Sequence, residues 1–152
     1  MGTPAGLKMK KDYWAIGGVL AALFMILFAA TFCKSPVASL PVQTVKNDPS
    51  FAGDIQPIFN NNCVNVSCHG QSAQAGMSLI DGSSYQYIVN VPSSEVPSNR
   101  RVLPSDPTDS YLVIKIEGRQ PVGARMPAAK DRLSDTHIQN IRNWIEKGAK
   151  NN

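Results

Sequence analysis

The stretch CVNVSCHG, Cys63 to Gly70, places two thiols and an imidazole within seven residues. Thiolates and imidazoles ligate metals, paired thiols form disulfides, and a cysteine followed by Cys-His is the signature of covalent haem attachment, usually spaced C-x-x-C-H. Here four residues separate the cysteines. In such attachment both thiols add to the haem vinyl groups and the imidazole after the second cysteine binds iron, so Cys68-His69 is the strict half of the pattern, and it is intact. Val64 to Ser67 can bulge outward and still let Cys63 reach its vinyl group. Two other uses of the same residues stand beside this one. A Cys63-Cys68 disulfide suits an exported protein. A zinc site would draw on Cys63, Cys68, His69 and His137, although such ligands come in two close pairs and His137 stands alone.

A haem iron needs a second axial ligand or an open site. Met126, in GARMPAAK, lies in a polar loop followed by Pro127, and its thioether suits haem iron. It is the expected sixth ligand. Met77, in AGMSL, is the competing methionine and reads as a packing residue; His137 and an open site are the other possibilities.

These residues need elements to position them. In SFAGDIQPIFNNNC, Asp54 is expected to cap a short helix that tolerates Pro57 in its first turn, puts Ile55, Ile58 and Phe59 on one face and leads into Cys63. In RLSDTHIQNIRNWIEKGAK, Ser134 fits the N-cap, Leu133 and Ile138 the staple, and Gly148 the left-handed stop. The buried stripe is Ile138, Ile141, Trp144 and Ile145, with Gln139, Asn140, Arg142, Asn143, Glu146 and Lys147 on the wet side. His137 falls in the exposed first turn. Between these helices, SSYQYIVNV and DSYLVIKIEG each fit a strand by β-branched content and a helix by capping and spacing, and six prolines from Pro92 to Pro127 argue against a regular sheet. About a hundred residues with this much loop bury a thin core, which a covalently held haem would fill.

The N-terminal third is different. Residues 13–32, YWAIGGVLAALFMILFAATF, run for twenty residues without a charge. At about 1.5 Å per residue they cover the ~30 Å of a bilayer core, with Tyr13 and Trp14 at the interface. A signal-peptide cleavage site would need small residues where Ala29 and Thr31 stand, and a lipoprotein site at Cys33 is spoiled by bulky Phe32. The reading is a retained anchor. Lys8, Lys10 and Lys11 before it keep residues 1–12 in the cytoplasm and send the rest outside. Residues 33–50, with three prolines, read as a semi-extended tether, and the folded domain is expected over 51–152. The basic surplus sits in the anchor region: residues 1–50 carry five Lys and two Asp, net +3, while residues 51–152 carry ten basic and nine acidic residues, net +1. That argues for lipid headgroups and topology, not a nucleic-acid face.

The order I-x-P-I-F, C-H-G, P-x-D-P-x-x-S-Y-L, R-M-P, L-S-D and I-x-x-W-I-x-x-G-A resembles a class I monohaem cytochrome c domain, over Phe51 to about Lys150. It is most similar to the exported, membrane-tethered bacterial modules that tolerate extra residues between the cysteines. The resemblance implies a mainly α fold with crossed N- and C-terminal helices around one haem c. It implies thioethers from Cys63 and Cys68, axial ligands His69 and Met126, and a carbonyl of Val102-Leu103-Pro104 accepting from the free ring N–H of His69. The expected function is single-electron transfer on the outer side of a bacterial cytoplasmic membrane, with redox protein partners in a respiratory or photosynthetic complex. The rivals are a haem sensor with an open sixth site and an anchored interaction module stapled by a Cys63-Cys68 disulfide. No nucleophile-base pair, phosphate loop or paired carboxylates suggest an enzyme.

Overall fold

The computed structural model describes Gly2 and residues 44–152; the expected anchor over residues 13–32 lies outside the described residues, as do the rest of the N-terminal segment and most of the tether. Among the described residues no helix is long and apolar enough to cross a membrane. The described chain is mainly helical and contains no strand, only isolated bridges such as Val89 to Val102 and Pro92 to Arg100.

The first helical segment opens as a π turn, Phe51–Ile55, and continues as α1, Gln56–Asn62. Its cap is Ser50, not Asp54: Ser50 Oγ accepts from Gly53 N at 3.1 Å, and Asp54 Oδ2 accepts from Ser50 N at 2.9 Å. The two side chains satisfy each other's end of the turn, so Asp54 lies inside the helix. Pro57 explains the wider turn. It has no N–H to donate to Gly53 O, and its ring crowds that carbonyl, a conflict that an i→i+5 turn relieves.

Both ambiguous segments are helices: α2, Ser84–Ile88, and α3, Tyr111–Glu117. No strand lies beside either to pair with, and α3 is closed by Gly118 at φ +81, with Arg119 N donating back to Ile114 O at 3.0 Å. The last helix, α4, Asp135–Glu146, follows its sequence signals. Ser134 Oγ accepts from His137 N, and Gly148 stands at φ +97.

The core gathers the apolar faces of these helices. Phe51, Ile55, Ile58 and Phe59 meet Ile138, Ile141, Trp144 and Ile145, with Ile88, Val113 and Ile116 filling between. Phe51 packs its ring 5.3 Å from both Tyr85 and Trp144. The C-terminus ties this contact down: Asn152 accepts from Phe51 N and Ala52 N, while Trp144 Nε1 donates to Lys150 O.

One residue of the expected wet face is buried. Asn140 is 6% exposed because Thr44 and Lys46, read as tether, lie along α4. Asn140 Oδ1 accepts from Lys46 N at 2.8 Å, its Nδ2 donates to Thr44 O, and Asn143 Nδ2 donates to Lys46 O. An amide side chain supplies both a donor and an acceptor, which suits it to cap a passing extended backbone.

Candidate functional site

The widened loop between the cysteines is a self-contained turn built on Asn65. Helix α1 ends at Cys63, whose N–H donates to Phe59 O at 2.8 Å. Asn65 Oδ1 then accepts from Ser67 N and Ser67 Oγ, while Asn65 O accepts from Cys68 N at 3.2 Å and Gly70 N at 3.1 Å. With the loop closed on itself, His69 N donates to Cys63 O at 3.3 Å. The two extra residues therefore leave both ends of the motif adjacent. Gly70 is required by this closure: a Cβ there would stand 2.4 Å from Asn65 O.

His69 is held by its ring. Nδ1 lies 3.1 Å from Met77 O. A carbonyl only accepts, so Nδ1 carries the proton and Nε2 keeps its lone pair, the tautomer of a metal-ligating histidine. The partner is not the expected carbonyl of Val102-Leu103-Pro104; there Val102 O accepts from Asn90 N, and Leu103 O accepts from Asp106 N and Ser110 Oγ. The segment carrying Met77 is fixed in turn by Arg101, whose guanidinium donates to Ala75 O at 2.8 Å, to Gly76 O at 3.3 Å and to Tyr87 O at 2.8 Å.

Cys63, His69, Met77 and Met126 line one cavity of about 90 Å³, part of it open to solvent, with Leu79, Leu112 and Ile116 completing its apolar wall. Burial pushes the Cys63 thiol up to about 11, with Lys130 opposing and Cys68 adding to the shift. Cys68 is half-buried and is not among the lining residues; it and Cys63 are free thiols, so the alternative disulfide is not formed. Met126 is half-buried against the core, its N–H donating to Lys115 O at 3.0 Å. Its bond to Pro127 is cis.

The two methionines are distinguished by what holds them. Met77 supplies the backbone carbonyl that anchors Nδ1. Met126 comes to the cavity from the loop after α3, tied to that helix by its N–H donating to Lys115 O. His137 is elsewhere: it is half-buried, not exposed, and lines a separate groove with Asn61, Lys130 and Arg132. Its Nε2 is buried without a partner, and burial lowers its pKa. Among the described residues no three His, Cys, Asp or Glu side chains gather as a zinc site requires.

The cavity also has a polar wall that the motifs did not reveal. Tyr111 OH and Lys115 Nζ each donate to Glu95 Oε2 at 2.8 Å. The Lys115 hydrogen bond, opposed by burial and aided by Tyr111, holds the Glu95 carboxyl below its usual range, while burial and Glu95 push Tyr111 up to about 12. The signal available in the sequence was Lys115 itself. A lysine inside the apolar run YLVIKIE must find a counter-charge if the helix is buried. Arg101 and the Met77 carbonyl left no such mark.

Comparison with protein-family models, curated proteins and solved structures finds no match to this chain, so the functional reading rests on the geometry of the site.

Proposed function

We propose that this chain is a membrane-anchored monohaem c-type cytochrome that carries single electrons outside a bacterial cytoplasmic membrane. The observation that carries the reading is the His69 ring, protonated at Nδ1 by its bond to Met77 O and keeping an Nε2 lone pair, at a cavity shared with Cys63 and Met126. The finer fold belongs to the same proposal: the Phe51–Ile55 turn with α1 and the helix α4 are the two crossed helices, a reading supported by the packing of Phe51 on Trp144.

The residues fit the group. Cys63 and Cys68 offer thiols that add S–H across the two vinyl double bonds, a step that balances without oxidant or reductant. His69 Nε2 and the Met126 thioether would ligate the haem iron. Haem bound there supplies a one-electron couple, which His/Met ligation biases toward high potential. The chain does the rest. Met77 O orients the imidazole. Arg101 immobilises the turn that carries this carbonyl, and Leu79, Leu112 and Ile116 give the cavity an apolar wall. A fixed, largely apolar surrounding suits electron transfer, because little then reorganises when the charge changes.

The test is an absorption spectrum and an intact mass on the full chain exported in a host that attaches haem. The expected result is sharp reduced α and β bands and one haem retained after acid-acetone extraction. A high-spin reduced spectrum favours the sensor. Complete extraction, or no Soret band, refutes covalent haem.

A further inference from the structure

We infer that Glu95, Lys115 and Tyr111 form a charge-compensated cluster in the cavity wall whose two charges pull the reduction potential in opposite directions and hold it near that of an uncharged wall, Glu95 favouring the oxidised state and Lys115 the reduced one. The inference rests on the haem reading above and extends it to three residues that the attachment motif does not involve.

Three observations carry it. First, all three residues line the same cavity as His69 and Met126. Second, the cluster is built into the wall: the Lys115 side chain is only 9% exposed, and both donors converge on one oxygen, Glu95 Oε2. Gly123 leaves the space the cluster occupies, since a Cβ there would stand 2.8 Å from Glu95 Oε1 and 3.1 Å from Lys115 Nζ. Third, Lys115 belongs to the frame of the expected sixth ligand, because its carbonyl accepts from Met126 N.

The physical consequence follows from charge. Reduction adds one negative charge at the iron; the Lys115 ammonium, 9% exposed, is screened far less than a surface charge, and the Glu95 carboxylate, 34% exposed, is screened more. A carboxylate there stabilises the oxidised site and an ammonium the reduced site. Paired, they nearly cancel. Removing either partner leaves the other uncompensated, which also costs stability, so a stability loss alone does not distinguish this role from a structural staple between the 93–97 segment and α3. The sign of a potential shift does.

The experiment is a spectroelectrochemical titration of the full chain in detergent micelles, at neutral pH and at two salt concentrations, for the wild type, Glu95→Gln, Lys115→Met and the double substitution. The methionine-iron charge-transfer band reports that ligation is unchanged. Glu95→Gln should raise the midpoint potential, Lys115→Met should lower it, and the double substitution should return it close to wild type, with little dependence on salt. If Lys115→Met does not hold haem, Tyr111→Phe serves in its place, since it strips a donor from Glu95 without changing charge and should lower the potential; if Glu95→Gln does not, Lys115→Met and Tyr111→Phe should both lower it, and a rise in either overturns the inference. Shifts of the same sign in the two single variants, or no shift in either with haem and ligation intact, overturn the inference while leaving the cytochrome reading in place. A wild-type chain without haem overturns both.

Discussion

Replacing Gly70 by alanine tests the way the widened loop closes. A Cβ at this position would lie 2.4 Å from Asn65 O and 2.9 Å from Asn65 C, backbone atoms that have no flexible side chain to move aside. Relief requires the Asn65 peptide to swing away, which breaks the bonds it accepts from Cys68 N and Gly70 N. At about 1 kcal/mol net per hydrogen bond, the loss is about 2 kcal/mol before strain is added. For a domain of this size that corresponds to a fall in Tm of about 8 °C or more. The same swing moves Cys68 and His69 away from Cys63, so haem content should fall along with stability. Thermal unfolding followed by circular dichroism, with pyridine-haemochrome quantification of the full chain, reads both effects. Gly53→Ala is the control: its Cβ would meet only Ser50 Oγ, a side-chain atom that rotates away at the cost of one cap bond. Should Gly70→Ala match the wild type in both Tm and haem content, the Asn65 turn is not what holds the motif together.

Further outcomes follow from the same geometry. Met126→Ala should lose the near-infrared sulfur-to-iron band and let the reduced protein bind carbon monoxide, whereas Met77→Ala should keep the band because Met77 serves His69 through its backbone carbonyl; the reverse pattern would exchange the two roles. Glu95 has a folded-state pKa held below its ordinary 4.5, so its stabilising contribution is present above that value and is lost as pH falls through the lower folded one. Acid unfolding of Glu95→Gln should therefore show a weaker pH dependence below pH 4.5 than wild type, and identical profiles would count against the pairing. A reporter fused after Asn152 in the full chain should be active only outside the cytoplasm, as the lysines before residues 13–32 require; cytoplasmic activity would remove the export that covalent haem attachment depends on.

The sequence alone was sufficient where the signal is local. Ser134, Gly148 and the spacing of Ile138, Ile141, Trp144 and Ile145 define α4 because capping and one-sided burial act within a few turns of chain. The adjacency of Cys68 and His69 is covalent, and no fold can alter it. Elsewhere the deciding partner lay far along the chain. Ser50 took the cap from Asp54 because Pro57 widened the first turn, and DSYLVIKIEG became a helix because no strand stood beside it. Asn140 left the wet face when Thr44 and Lys46 docked on it from the other end of the domain. The histidine's carbonyl came from Met77, not from the expected Val102-Leu103-Pro104 segment, whose Val102 and Leu103 carbonyls accept from Asn90, Asp106 and Ser110. The pairing of Lys115 with Glu95, twenty residues apart, was decided the same way. A buried ammonium announces that it needs an anion, but which carboxylate answers depends on which loop the tertiary fold lays across the cavity, and that is a property of three-dimensional packing with no periodicity in the sequence to mark it.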